Sequence, residues 1–370
     1  MKLILSVIVA VAIIKLIQYV YKNCWSKNLS VNIRFMKNIL YANEENELYE
    51  VITNKKRILL PILQVKFAIT KFFQFAEEEN SSVTDMYYRN EFFTVMPYQK
   101  ITRTYRFKCI RRGVFTMKDL DLICYSLFLN QKYISTFNYE DTVYVLPAKI
   151  RRENIPIMIT RYMGELERNV HINDDPFTFA GIREYRPYDN IHDINWKISA
   201  KMDSYYVNIH NTTYSKNVTI LLNLEPNSLS DGEYVIEYCI SIAAHISAHL
   251  IKAQIPVAFY TNGFDIENEA LPDFKHLASQ SHLRNIEIAL SRLDISIMPS
   301  PFEELLNNNE ILDKKESEYI IISNSTKENV ASAYNKKTSE GYHLLFVNPR
   351  YDNSTQQNIP GIIKWVIEKK

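Results

Sequence analysis

Val218-Thr219-Ile220-Leu221-Leu222, an Ile- and Ala-rich run from Glu233 to Gln254, and Pro256-Val257-Ala258-Phe259-Tyr260 closed by Asn262-Gly263 are the stretch whose reading decides the fold. A short β-branched and Leu run reads as a buried strand, and the long apolar run after it as a helix. The same alternation continues to the C-terminus. Ile286–Leu293 and Phe302–Leu306 read as helices, Glu318–Ile322 as a strand, Thr326–Lys337 as a helix, His343–Val347 as a strand and Gly361–Lys369 as a final helix. Strands alternating with helices imply a parallel sheet covered on both faces.

Towards the N-terminus the period changes to two. Glu47–Ala68 reads as two β runs joined by Asn54-Lys55-Lys56-Arg57. Thr104, Arg106 and Lys108 alternate with Tyr105, Phe107 and Cys109. Arg111-Arg112-Gly113 is a turn, Val114–Met117 a further strand, and Val143–Leu146 a closing strand ended by Pro147. A β-sandwich or barrel is the simplest account of residues 27–148.

The 370 residues leave room for two or three domains. The 25 Tyr and 18 Phe favour pleated surfaces. A net charge of +1 supplies no field for nucleic acid, so none is expected as a partner. The 7 Gly are too dispersed to cradle a phosphate, which excludes the dinucleotide fingerprint and the P-loop. The four cysteines form no CxxC pair, so neither a disulfide framework nor a zinc cluster is expected. No cofactor is implied.

Leu3–Tyr21 is apolar except for Ser6, Lys15 and Gln18. Such a helix just spans a hydrocarbon core of about 30 Å. Tyr19, Tyr21 and Trp25 read as an aromatic belt at its exit. A cleaved signal peptide and a buried helix are the rival readings, although Ala10-Val11-Ala12 comes early for a cleavage box. Lys22, Lys27, Arg34 and Lys37 follow the segment and only Lys2 precedes it, which places the bulk of the chain in the cytoplasm. Residues 1–26 are therefore expected to be a single-pass membrane anchor.

Residues 149–212 are polar and charge-rich, which reads as a solvated connector. Within them, Gly181-Ile182-Arg183-Glu184-Tyr185-Arg186-Pro187-Tyr188-Asp189 continues to Ile194-Asn195-Trp196-Lys197-Ile198-Ser199-Ala200-Lys201. This run closely resembles the signature of the domain of unknown function 58 family, approximately Arg-Glu-Tyr-x-Pro-Gly-Asp, a spacer, and Ile-x-Trp-Lys-x-Ser-Ala-Arg. Arg112-Gly113-Val114-Phe115 and Val145-Leu146-Pro147 resemble upstream landmarks of that family. Tyr188 stands at its Gly, His192 at its spacer Arg and Lys201 at its final Arg. Its Asp-Pro-Phe-Gly-Leu-Phe motif survives only as Ile123–Phe128, and one N-terminal apolar helix stands where many members carry two.

The resemblance implies a multidomain α/β and all-β fold: anchor, β-sandwich, signature connector and, over 213–370, a von Willebrand factor A-like domain with a Rossmann-like parallel sheet. It implies a partner too, a MoxR-type AAA+ ATPase, and a role in assembly or activation of envelope proteins. The A-like domain would dock through loops at the carboxyl ends of its strands. Domains of that type hold Mg²⁺ through Asp-x-Ser-x-Ser. Asn223, Glu225 and Asn227 stand at the matching positions with Ser228 beside them, and Ser323-Asn324-Ser325 occupies the later acidic loop. One carboxylate among amides compensates little charge, so no metal is expected. His245 and His249 have zinc-like spacing but no following Glu and no third ligand.

The signature has three physical readings. Arg183 can fork onto Asp189, Trp196 and Tyr185 can cover aliphatic stems, and Pro187 fixes a turn, which together make a structural latch. The same residues, with Glu184, Ile194, Lys197 and Ala200, can form a docking surface. Asp189, His192 and Asp193 could support acid–base chemistry, but no nucleophile accompanies them. A non-enzymatic interaction protein is the reading adopted. A hydrolase and an extracellular adhesion module, with the anchor reversed, are the alternatives.

Overall fold

A computed structural model describes residues 2–76, 81–172, 174–186, 189, 191–202, 204–212, 217–227, 233–267, 273–312, 317–351 and 361–367. The chain is mixed α/β with several sheets, and it divides into two units, Met1–Ala148 and Lys149–Lys370.

The first unit opens with helix α1 (Lys2–Cys24), followed by β1 (Leu29–Phe35), β2 (Ile39–Tyr41), β3 (Glu45–Asn54), β4 (Leu60–Thr70) and β5 (Phe73–Phe75). It continues with β6 (Ser81–Val83), β7 (Met86–Val95), β8 (Lys100–Cys109), β9 (Gly113–Tyr125) and β10 (Lys132–Leu146). The strands form two sheets, β1-β3-β8-β5 and β2-β10-β9-β4-β7-β6. Alternation aims Leu48 and Ile52 of the first sheet and Val65, Phe93 and Leu122 of the second into one shared core, which makes this unit a β-sandwich. Phe75 and Tyr87 stack between the sheets with ring centroids 4.8 Å apart.

Most of α1 is exposed apolar surface, whereas its last turn is not. Tyr21 and Trp25 are buried in the sandwich core against Tyr133. The Tyr21 hydroxyl donates to the Leu59 and Tyr125 carbonyls, 3.2 and 3.4 Å away. Of the expected aromatic belt only Tyr19 faces outward, at 65% exposure. The other two rings bury more apolar area inside the sandwich than an interface would take from them. The helix therefore ends in a socket, with no free tether.

In the second unit, α2 (Ile157–Ile172) follows a 3-10 turn, and β11 (Asp174–Glu184) leads through a second 3-10 turn at Ile191–Asp193 to α3 (Trp196–Met202) and β12 (Tyr206–Thr212). The segment read as a solvated connector is thus folded. Its α2 turns Ile159, Met163 and Leu166 into the main core of the unit. Spacings of four and three put these residues on one helical stripe. The Tyr162 hydroxyl donates to the Glu318 carboxylate at 2.9 Å.

Then come β13 (Val218–Leu222), α4 (Glu233–Lys252), β14 (Val257–Thr261), β15 (Phe264–Asp265), β16 (Phe274–Leu277), α5 (Gln280–Arg292) and β17 (Leu293–Asp294). The chain closes with α6 (Phe302–Asn307), β18 (Glu318–Ile322), α7 (Glu328–Ser339), β19 (His343–Tyr351) and β20 (Ile362–Ile367). Six strands order as β16-β14-β13-β18-β19-β20, with β16 antiparallel to β14 and the other pairs parallel. α4 and α5 cover one face with Ile240, Ile246 and Leu290, while α6 and α7 cover the other with Phe302, Leu306 and Val330. α4 is apolar enough to cross a membrane, but it is mostly buried as a core helix.

Gly361–Lys369, expected as a final helix, is strand β20 over its described part. Ile363, Trp365 and Ile367 alternate inward with period two, and Trp365 is fully buried. Five β-branched or aromatic residues out of six suit an edge strand better than a marginally short helix.

Candidate functional site

The signature folds as a hairpin. β11 and β12 pair antiparallel, with Arg183 opposite Val207 and Glu184 opposite Tyr206. Arg183 grips Asp189 in a fork, Nη1 to Oδ2 at 2.6 Å and Nη2 to Oδ1 at 2.8 Å. The Arg186 backbone N–H donates to the same Oδ2 at 2.8 Å. The Arg183 guanidinium and this N–H hold the Asp189 carboxyl below its usual range. Both Asp189 oxygens are thereby engaged, which makes it a weak proton acceptor for the acid–base reading. Pro187 and Tyr188 lie outside the described residues.

Asn195 starts α3 as an N-cap, its Oδ1 accepting from the Ile198 N–H at 3.1 Å. Its Nδ2 donates to Asn208 Oδ1 at 2.7 Å. Ser199 is buried and its Oγ accepts from the Tyr206 N–H at 2.9 Å. Ile194 bridges to Val207, and both are buried. The small and polar signature positions therefore hold the backbone. Two large rings do not: Trp196 and, just beyond the motif, Tyr205 are 61% and 60% exposed, edge-to-face with centroids 6.2 Å apart, and the half-buried Tyr185 ring lies 6.3 Å from Tyr205. Glu184, Lys197 and Ala200 are exposed as well. Exposed Met202 and Ile191 add further apolar surface to the same hairpin. The aromatic cluster includes Tyr205, which sequence reasoning passed over because it lies beyond the motif.

The second candidate is the carboxyl rim of the six-stranded sheet. Register aligns Leu222 with Thr261 and Ile322, and Ile322 with Val347. The next residue on each strand is Asn262, Asn223, Ser323 and Asn348, a polar row across β14, β13, β18 and β19. Asn223 Nδ2 donates to Ser323 Oγ and Asn262 Nδ2 donates to Asn223 Oδ1, both at 2.9 Å. Asn348 Nδ2 donates to the Ser323 carbonyl at 2.9 Å. Asn223 Oδ1 also accepts from the Glu225 N–H. Glu225 Oε1 accepts from the Phe302 N–H at 2.7 Å, and Asn227 Oδ1 from the Thr326 N–H at 2.9 Å. All four residues of the row are buried. An amide N–H pointed at Ser323 Oγ occupies the space in which a cation would need an oxygen, so this donor set does not fit Mg²⁺. Ser228 lies outside the described residues. Asn262 and Asn348 were not legible as partners, since only the register unites them.

His249 Nε2 lies 2.9 Å from Glu167 Oε1 on α2, and burial followed by the His249 charge pushes His245 down. The pair therefore ties α4 to α2.

The sandwich holds a buried charge cluster that sequence reasoning missed. Arg89 Nε meets Glu91 Oε1 at 2.6 Å, and Arg103 Nη1 meets Glu91 Oε2 at 2.7 Å. Tyr105 donates to Glu50 Oε2 at 2.6 Å, and the Arg89 guanidinium lies 4.0 Å from the Tyr105 ring centroid. Among the described residues Glu50 Oε1 and Arg89 Nη1 are buried without a hydrogen-bond partner. Burial pushes the Glu50 carboxyl up to about 7, with the Tyr105 hydrogen bond opposing. The available signal was Arg89 and Glu91 on the inward phase of β7, between Tyr87 and Phe93.

No family model matches the chain, and no curated protein matches it. Solved structures resemble parts of it. A CARDB domain from Pyrococcus furiosus is 14% identical, with a TM-score of 0.22, covering 32% of this chain and 90% of that one. A non-cellulosomal cohesin from Archaeoglobus fulgidus is 8% identical, with a TM-score of 0.21, covering 30% and 90%. A PapD-like domain of human CEP192 is 9% identical, with a TM-score of 0.20, covering 32% and 87%.

Proposed function

We propose that this chain is a membrane-anchored, non-enzymatic interaction protein of the domain of unknown function 58 family. It works with a MoxR-type AAA+ ATPase in the assembly or activation of envelope proteins. The observation that carries this reading is the signature hairpin, with Trp196 and Tyr205 exposed beside the half-buried Tyr185 on a scaffold locked by Arg183–Asp189, Asn195 and Ser199. Exposed aromatic clusters on rigid supports are what protein partners bind. The signature thus serves as a docking surface, with its polar positions acting as an internal latch.

The C-terminal unit is read as a von Willebrand factor A-like domain. The amide-closed rim supports recognition without a metal ion there. The exposed apolar α1 supports an anchor, and the seating of Tyr21 and Trp25 in the core favours a retained helix over a cleaved one. The basic residues after α1 support a cytoplasmic side for both units. The test is co-purification from membranes. The wild type should enrich the ATPase, and a Trp196→Ala, Tyr205→Ala double variant should not. Equal enrichment of both would remove the docking role.

A further inference from the structure

Beside α1 the sandwich has an open groove of about 500 Å³, lined by Leu16, Ile17 and Val20 of the helix and by Ile58, Leu59 and Leu127, with Arg57 among its walls. The β9–β10 turn next to it carries Leu127, Phe128 and Leu129, which are 42%, 51% and 55% exposed. Three consecutive exposed apolar residues at a hairpin tip are costly in water and suit a lipid interface. The turn is held to the helix, since Gln18 Nε2 donates to Asn130 Oδ1 at 3.3 Å.

The depth of that contact follows from helix geometry. A hydrocarbon core of about 30 Å takes about 20 residues at 1.5 Å each. The apolar stretch Leu3–Tyr21 is about that long, so its C-terminal end at Tyr21 marks one boundary and Gln18 lies about one turn inside it. The socket at Tyr21 and Trp25 leaves no tether to lift the sandwich away. We infer that the helix-proximal end of the sandwich sits in the bilayer: Leu127, Phe128 and Leu129 sink below the headgroups, and the groove takes the acyl chain of an anionic phospholipid whose phosphate meets Arg57. Lys22 follows the groove residue Tyr21 and Lys55 precedes Arg57 by two residues, charges that match such a lipid. The inference rests on α1 being a membrane anchor.

Full-length protein with Cys24→Ser and Phe128→Cys is labelled with an environment-sensitive fluorophore; Cys109, Cys124 and Cys239 are buried and stay unlabelled. In phosphatidylcholine–phosphatidylglycerol vesicles the label should shift to the blue and be quenched by nitroxides placed shallow in the lipid chains. A label at Ser204→Cys, in the other unit, is the comparison. Native mass spectrometry from micelles should show bound phosphatidylglycerol, weakened about fivefold or more by Arg57→Glu. A Phe128 label in water on a chain that resists carbonate extraction overturns the inference and leaves the anchor standing. Release by carbonate overturns the anchor, and this inference with it. Unchanged phosphatidylglycerol binding in Arg57→Glu overturns the groove assignment.

Discussion

Replacing Glu50 by Gln isolates the energetics of the buried charge cluster. Glu50 is 1% exposed, and its carboxyl is pushed from 4.5 up to about 7 by burial. A raised acid pKa means that folding takes up a proton between pH 4.5 and 7. Stability is therefore fully retained below pH 4.5, falls as pH climbs to 7, and stays reduced above it. At about 1.4 kcal/mol per pH unit, the displacement amounts to about 3 kcal/mol. Glu50→Gln abolishes the titration, keeps an acceptor for Tyr105 and should recover about that energy at pH 8 while changing little at pH 4.5. Pulsed thiol labelling of the full chain in micelles, read by peptide mass spectrometry, resolves the two units. Cys109 and Cys124 are buried in the sandwich and Cys239 in the other unit. Protection of Cys109, relative to unfolded chain at the same pH, should fall by about 100-fold from pH 4.5 to 8 in the wild type. It should stay level in Glu50→Gln, with Cys239 unaffected. The same pH slope in both proteins would refute the reasoning.

Two other substitutions probe the C-terminal unit. Asn223→Asp removes the donor to Ser323 Oγ inside a buried row, so it should lower stability by about 1–3 kcal/mol in denaturant melts. Adding Mg²⁺ should not restore it, and a Mg²⁺-dependent recovery would show that the rim still coordinates. Gly263→Ala drives a Cβ into Leu224 Cδ1 beside the rim, an overpacking that should cost about 1–3 kcal/mol. An unchanged melting temperature would contradict that packing.

The parts of the fold that were legible are those written in local periodicity. β13 and β14 are short buried runs, and α4 is a long Ile- and Ala-rich run, so length and composition identify each. β20 was not, because Ile362–Ile367 is too short for periodicity to separate strand from helix, and only pairing with β19 selects the strand. In α2 the stripe Ile159–Met163–Leu166 was outweighed by the surrounding charges. Tyr21 and Trp25 have the composition of a membrane belt, and only the nearby Tyr133 shows that they face a protein core. In the signature, the Arg183–Asp189 fork could be read from residue types six apart. The polar row was legible only in part: Asn223 and Ser323 stand at positions the resemblance marks, whereas Asn262 and Asn348 join them through register alone.

In the proposed function the signature hairpin grasps a protein partner and the sheet's rim binds no metal. The most direct measurement is purification of the full-length chain from membranes under ATP, ADP and nucleotide-free conditions, the last repeated in EDTA. Enrichment of a MoxR-type ATPase in at least one nucleotide state, undiminished by EDTA where no nucleotide is needed and lost with Trp196→Ala and Tyr205→Ala, is the expected result. No enrichment in any state, or retention of the ATPase by the double variant, would contradict the account.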